Sequence, residues 1–302
     1  MNKIDRATML ATRSLGIGGS ECAAACGLDA RVTRRELFER KKRRVADVED
    51  NERMMAGRFV EPAIANWASE KYDIQVYQRH QTLTHPKYPW MRANVDRLRR
   101  GVKVGVEIKN VDLMVHRYSG EWGEEGSSIV PEPYYLQCMH YMIVLDYPEW
   151  ELIACVGGNS LCRYHIERDP EVVELVIDNE HEFWQCVERD EPPEFDYTHP
   201  STIGLLKRLY PGTGGGVIEL PGEAMHWHAT LVSAKKRRDG YDEVVEGCKA
   251  HLLDLMGDAA IGKLPGVGEY RRKIVQRKGY EVAPTEYVDF RFTKPKGLND
   301  DE

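Results

Sequence analysis

The chain has no apolar run near the ~20 residues that a membrane-spanning helix needs. Its N-terminus, MNKIDRATMLATRS, lacks the apolar stretch of a secretory signal, so a cytoplasmic protein is expected. No CxxC pair occurs among the seven cysteines, Cys22, Cys26, Cys138, Cys155, Cys162, Cys186 and Cys248. That spacing speaks against structural zinc or an iron–sulfur cluster, and the apolar neighbours of most of them suit reduced core thiols. Positive charge is not in excess either, since the net charge is −7. A uniformly basic nucleic-acid coat is therefore excluded. What remains is a globular chain of 302 residues, long enough for one sizeable core plus an appendage.

The charge is unevenly placed. Residues 31–44 (RVTRRELFERKKRR) hold eight basic and two acidic residues, whereas residues 167–194 hold eleven acidic and two basic. A basic face towards phosphate and an acidic face away from it would follow, although a solvated helix face gives the same pattern.

Local signals divide the chain into elements. Ser20 is placed to cap a short helix, ECAAAC, closed by Gly27. Thr33 and Glu36 form a capping box for a basic helix reaching about Arg44. A helix over about 52–71 carries Met55, Phe59, Trp67 and Ala68 at apolar positions, with Pro62 inside it as a source of a kink. WMRANVDRL and VKVGVEIKN alternate as two strands of a hairpin, with Arg100-Gly101 as its tight turn. A helix from about Pro133 to Asp146 follows. Strands WELIACV and LCRYHIE come next, joined at Gly157-Gly158-Asn159, and then a helix from Pro170 to about Glu188. This order predicts an α/β (α+β) core, a mixed sheet flanked by helices. PGTGGG (211–216) reads as a junction, giving a first domain over 1–211 and a C-terminal helical and β extension over 212–302. In that extension Tyr241, Val244, Val245, Cys248, Leu252, Leu255, Met256 and Ala259 recur at helical spacing. A basic β-rich end runs from about Tyr270 to Thr293.

The chemically informative unit is Asp96 followed by Glu107-Ile108-Lys109. On the strand VKVGVEIK, Val102, Val104, Val106 and Ile108 share one face, while Lys103, Gly105, Glu107 and Lys109 share the other. A two-residue turn at Arg100-Gly101 would pair Asp96 with Gly105. Asp96 then lies diagonally from Glu107 at about 7–8 Å between β-carbons. Two carboxylates so arranged can converge on one hard divalent cation. Magnesium bound by Asp96, Glu107 and the Ile108 carbonyl could neutralise a phosphate and generate hydroxide, with Lys109 orienting water or stabilising charge. A Glu-x-Lys on a strand is also a common solvent-facing pair, so both readings stand on these residues alone.

With those residues in place, the chain resembles the YqaJ-like viral recombinase family, relatives of the phage lambda exonuclease within the PD-(D/E)xK nucleases. The resemblance runs through about residues 13–196. It rests on Arg13 with GIGGSE (16–21), GRFVEP (57–62), ANVD (93–96), EIK (107–109), YYLQCMHYMIVLD (134–146) and FWQCVERDEPPEFD (183–196). It implies a restriction-endonuclease-like central mixed sheet and metal ligation by Asp96, Glu107 and the Ile108 carbonyl, with Glu61 near the metal through water. It further implies Lys109 as catalytic lysine, Gln137 beside it, and Arg13 with Ser20 on a terminal 5′-phosphate. Arg40, Lys41, Lys42, Arg43 and Arg44 are expected along the DNA backbone. The activity implied is a Mg2+-dependent exonuclease, with Mn2+ as a substitute, digesting double-stranded DNA, 5′ to 3′, in a bacterial host cytoplasm. Relatives form ring-shaped trimers and work with a phage single-strand annealing protein. An endonuclease of the same fold is the alternative, and a silent DNA-binding or assembly protein is a third.

Several of these residues have a plainer alternative. Glu61 and Arg13 can be surface charges, and Gln137 a core amide. His140, one turn from Gln137, fits a packed core histidine better than a base. Trp67 and Trp184 are expected in the core.

Overall fold

The structure, a computed structural model, describes residues 13–46, 50–212 and 216–276. It divides into two compact units, residues 1–211 and 212–302.

The first unit is built on a five-stranded sheet in the order β2-β5-β6-β7-β8. Its strands are β2 (Val76–Tyr77), β5 (Arg97–Arg99), β6 (Val104–Val111), β7 (Glu149–Val156) and β8 (Ser160–Glu167). All neighbours are antiparallel except β6 and β7, which run parallel, so the sheet is mixed, as expected. A parallel pair needs a long crossover, and here α4 (Leu113–Tyr118) and α5 (Glu132–Leu145) lie between the two strands. Both faces of β6 are covered, which is why all but two of its residues are buried. Helix α3 (Glu52–Lys71) lays Ile64, Ala65 and Ala68 against Val106, Ile108 and Ile153 on one face. On the other face Leu136, Met139 and Ile143 of α5 pack with Leu152, Ala154 and Tyr164. Helix α6 (Pro170–Arg189), capped by Asp169, closes a further cluster with α1 (Cys22–Ala25) and α2 (Arg34–Lys41) through Phe183, Ala25 and Phe38. Helix α7 (Thr202–Leu209) adds the buried Leu205. No described helix is long and apolar enough to cross a membrane.

A small sheet, β1-β4-β3, sits beside this core, from β1 (Ile17–Gly18), β4 (Met91–Ala93) and β3 (Leu83–Thr84). It corrects one expectation. WMRANVDRL is not a single strand, because β4 belongs to the small sheet and β5 to the central one. The chain crosses between them at Asn94-Val95-Asp96. A second correction concerns register. Arg97 pairs with Val106 and Leu98 with Gly105, so the turn around Gly101 is two residues longer than a two-residue hairpin. Continuing that register sets Asp96 opposite Glu107 rather than opposite Gly105. The shift is even, so side-chain parity survives. Val102, placed on the apolar face by the shorter turn, is half exposed.

Two further expectations fail. Ser20 does not cap a helix: it lies inside a 3-10 turn, Gly19–Glu21, preceded by Gly18. The Gly18 N–H donates to the Glu21 carboxylate at 2.8 Å, and only the four-residue α1 follows. On α3, Met55, Phe59 and Trp67 are exposed rather than packed, Phe59 by 80%. The buried stripe there is made by smaller residues. Trp184 is half-buried against the third cluster. All seven cysteines are free thiols.

The second unit contains α8 (Glu223–Met256), 34 residues without a buried position, and the hairpin β9 (Ile261–Leu264)–β10 (Gly268–Arg271). Ala259 falls beyond the end of α8, and most of the basic stretch expected from Tyr270 to Thr293 lies outside the described residues.

Candidate active site

Strand β6, in the middle of the central sheet, brings the chemistry together. Glu107 and Lys109, two apart on β6, face α5, and Gln137 meets them from that helix. The Lys109 ammonium donates to Glu107 Oε1 at 2.6 Å and to Gln137 Oε1 at 3.0 Å. Gln137 Nε2 in turn donates to Glu107 Oε1 at 2.8 Å. Asp96 enters from the crossing between the two sheets, and its Oδ2 accepts the Ile108 N–H at 2.9 Å. That bond ties Asp96 to the same stretch of strand as Glu107. Glu61, on α3, reaches the site through Arg97. The Arg97 guanidinium donates to Glu61 Oε1 and to the Asp96 carbonyl, both at 2.6 Å.

The electrostatics are those of a site short of positive charge. Burial first, then Glu107 and Glu61, push the Asp96 carboxyl well above its usual range, against a smaller lowering by Lys109 and the Ile108 N–H. Burial disfavours the Lys109 ammonium, yet Glu107 and Asp96 outweigh it and raise its pKa, so it stays protonated. Glu107 is buried, and its Oε2 has no hydrogen-bond partner among the described residues. An unpaired buried carboxylate oxygen is costly. A hard cation fits this donor set, because Asp96, Glu107 and the Ile108 carbonyl offer only oxygens and a surplus of negative charge.

Packing holds the frame in place. Tyr141 lies one turn beyond Gln137, accepts from Gln137 Nε2 at 3.0 Å and donates to the Asn94 carbonyl at 3.1 Å. Its ring sits so close to Gly19 that a β-carbon there would lie 2.4 Å from it. Gly105 likewise leaves room for Trp150, whose ring would be 2.2 Å from any β-carbon at that position. The glycines of GIGGSE and of the strand thus admit aromatic rings behind the site. Lys109 also lies 4.7 Å over the Tyr134 ring. Sequence reasoning assigned no role to Arg97, Tyr134 or Tyr141. Arg97 had a signal, adjacency to Asp96, but its partner Glu61 is 36 residues away.

The basic run is largely tied into the fold. Arg40 and Arg208 pair with the buried Glu36. Lys41 is buried, donating to the carbonyls of Arg13 and Gly16 at 2.7 Å and to Glu21 at 2.5 Å. Lys42 and Arg44 engage Asp190 at 3.3 and 2.7 Å. Arg43, exposed, donates to the Ser14 hydroxyl at 3.1 Å. Arg13, Arg40, Lys41, Arg43 and Arg44 line one cavity of about 290 Å³, together with Glu21. Ser20 is exposed and is not among its lining residues.

His140 is sealed in the core. Nδ1 meets Glu180 at 2.7 Å and Nε2 meets the Arg92 carbonyl at 2.9 Å. It is the packed histidine that its position suggests. Cys22, His140 and Glu180 lie close enough to share an ion, as do Glu149, Glu151 and His165. Each group is already neutralised within the protein, the first by this ion pair and the second by Arg99 and Arg163 on Glu151.

Comparison with known proteins bears on this geometry. The model of the YqaJ-like viral recombinase domain matches residues 9–148, a span that includes Asp96, Glu107, Lys109 and Gln137. The Bacillus subtilis (strain 168) protein YqaJ is 31% identical over 223 residues, covering 72% of this chain and 68% of that protein. Among solved structures, an alkaline exonuclease from Laribacter hongkongensis has a TM-score of 0.48 at 17% identity, over 67% of this chain and 96% of its own. A phage-related exonuclease from Haemophilus somnus 129PT has a TM-score of 0.45 at 11% identity, over 61% and 100%. On the match to the domain and the identity to YqaJ, the chain belongs to the YqaJ-like viral recombinase family.

Proposed function

We propose that this protein is a divalent-metal-dependent exonuclease of phage type that degrades double-stranded DNA from its ends, 5′ to 3′, in the service of recombination. The observation that carries the reading is the unpaired, buried Oε2 of Glu107 beside Asp96, whose carboxyl is held high by burial first and then by its anionic neighbours. Family membership supports it, since the matching domain is described as that of a viral recombinase.

Asp96, Glu107 and the Ile108 carbonyl would hold the cation, with Glu61 near it through water. Mg2+ is the proposed ion, with Mn2+ as a substitute, because the donors are all oxygen. Once bound, it would supply charge neutralisation at the phosphate and a more acidic water. The protein's own residues do the rest. Lys109 stays protonated, so it serves as a donor to the phosphate or the attacking water rather than as a base. Gln137 holds Lys109 and Glu107 together, and Arg97 keeps Glu61 facing the site. The cavity lined by Arg13, Arg40, Lys41, Arg43 and Arg44 carries five cations against Glu21, and suits a terminal 5′-phosphate. Ser20 remains a candidate for that phosphate by family resemblance alone. So do the trimeric ring, the single-strand annealing partner and the host cytoplasm.

The test compares linear and closed circular duplex DNA, each with Mg2+ and with chelator. Degradation of the linear substrate alone, dependent on Mg2+, is expected. Equal cleavage of the circle would replace this reading with an endonuclease of the same fold. A linear substrate with 5′-phosphate should outrun one with 5′-hydroxyl, and Arg13→Ala should narrow that gap.

A further inference from the structure

Tyr134 and Gln137 stand one turn apart on α5, and both meet the Lys109 ammonium of β6. Gln137 brings an acceptor and Tyr134 a ring. The ammonium lies 4.7 Å over the centre of that ring, inside the ~6 Å reach of a cation–π attraction. Such an attraction strengthens as water is removed, and the Lys109 side chain is 20% exposed.

Lysine carries its charge on a flexible four-carbon stem, so its direction must come from its surroundings. Of its three N–H donors, two go to Glu107 Oε1 at 2.6 Å and Gln137 Oε1 at 3.0 Å. Glu107 is a shared anchor, because the proposed function also makes it a metal ligand. The Tyr134 ring serves Lys109 alone, and it attracts the charge of the ammonium rather than one particular N–H.

The ring is itself held. Trp122 packs on Tyr134 at 5.9 Å between ring centres, and Trp122 lies 5.4 Å from Tyr164 and 5.0 Å from His116. Tyr164, on β8, is fully buried, and its hydroxyl meets His116 Nε2 at 2.9 Å. The chain beyond Trp122 is tied to the same strand. The Gly126 N–H donates to the Arg163 carbonyl at 2.8 Å, and the His165 N–H donates to the Ser127 carbonyl at 3.0 Å. A row of rings thus runs from the strand at the sheet edge to the lysine of the site.

We propose that Tyr134 is a positioning residue of this site, its ring face keeping the Lys109 ammonium aimed at the phosphate. This role rests on the reading of Lys109 as donor to the phosphate or the attacking water.

The experiment uses the full chain and two readouts. The first is proton NMR in chelator without DNA, with the Lys109 ε-methylene signals recognised by their loss in Lys109→Met. Those protons should lie upfield in the wild type and in Tyr134→Phe, through the ring above them, and at the ordinary lysine position in Tyr134→Leu. The second is turnover of linear duplex DNA with Mg2+. Tyr134→Phe, which keeps the ring, should retain most of the wild-type kcat, whereas Tyr134→Leu should lose about tenfold with KM unchanged. Successively fluorinated phenylalanines at position 134 keep the shape of the ring while draining its face of negative charge, so kcat should fall stepwise along that series. This holds the test open even where Tyr134→Leu fails to fold. An active wild type with ε-methylene signals at the ordinary position overturns this role alone. So does a flat fluorinated series, a Tyr134→Leu with the wild-type kcat, or a Tyr134→Phe as slow as Tyr134→Leu, which would assign the effect to the hydroxyl. An inactive wild type overturns the proposed function and this role together.

Discussion

Gln137 and His140 lie one turn apart on α5, and each anchors a buried polar cluster of opposite character. The His140 cluster is closed. Both ring nitrogens are engaged, and His140 and Glu180 are wholly excluded from solvent. The Gln137 cluster is open. Asp96 is half-buried, the Lys109 side chain is 20% exposed, and one Glu107 oxygen has no partner among the described residues. Counting its charges, three carboxylates (Asp96, Glu107, Glu61) face two cations (Lys109, Arg97). Buried ionic groups alone do not mark a site, since structural pairs are also buried. A surplus of carboxylates beside a partly exposed lysine is what the proposed metal site requires.

Breaking the open cluster should have the largest effect. Asp96→Asn, Glu107→Gln and Lys109→Met should each lower Mg2+-dependent nucleotide release by on the order of 10²–10³, the scale for losing one preorganised charge in a transition state. Circular dichroism should report an unchanged fold. Retention of more than a tenth of wild-type activity by all three variants would remove the site from this strand. Breaking the closed cluster should act on stability instead. Glu180→Ala leaves His140 buried without its carboxylate, at a cost of about 3–5 kcal/mol, read in urea unfolding. The folded fraction should keep its specific activity.

The two clusters also differ in their response to pH and chelator. Burial lowers the His140 pKa, but Glu180 and the Arg92 carbonyl outweigh it, and the net shift is upward. A histidine raised in the folded state contributes stability that is full below its unfolded pKa, near 6.5, and is lost as pH rises through the folded value. Urea unfolding of the wild type should therefore weaken on the alkaline side, and Glu180→Gln should flatten that trend. For the open cluster, Asp96→Asn removes a carboxylate held among anions, so in chelator it should stabilise the protein. Added Mg2+ should raise the melting temperature of the wild type more than that of the variant. Destabilisation by Asp96→Asn in chelator would mean that the carboxylate cluster is a structural pair.

How much of this was legible depended on how local the signal was. Strands β7 and β8 announced themselves through apolar patterning and turn residues, and helix α3 forms where expected although Met55, Phe59 and Trp67 on it are exposed. Gly157 and Gly158, both at positive φ, mark the β7–β8 turn where the sequence has them. Glu107 and Lys109 were legible from strand parity, and Asp96 survived an error of two residues in register because the error was even. The split of WMRANVDRL between two sheets had no local signal, since partner strands decide it. Trp67 failed for the same reason: size and period suggest burial, but the close approach of α3 to the sheet is made by Ala65 and Ala68.

The basic run gives the smallest expected effect and the finest test of what sequence cannot tell. Its residues look alike in the chain, yet Lys41 is buried on three oxygens drawn from positions 20 to 28 residues earlier, whereas Arg43 is exposed. Lys42 and Arg44 are held at the surface by Asp190, and such pairs contribute little, at most about 1 kcal/mol. Arg44 can exchange Asp190 for phosphate at small cost; Lys42 would also release the Val187 carbonyl, which keeps the Asp190 N–H, whereas Lys41 cannot leave its carbonyls without leaving them unpaired. Lys42→Gln with Arg43→Gln should therefore lower the log–log salt slope of DNA binding by about 0.9 for each phosphate no longer neutralised, with little change in unfolding. Lys41→Met should do the reverse, weakening the fold by about 1–3 kcal/mol through its stranded partners while the slope stays near the wild-type value. If the Lys42 and Arg43 changes leave the slope untouched, the run is a fold-stabilising face. The cations that meet the DNA backbone must then lie elsewhere in the chain.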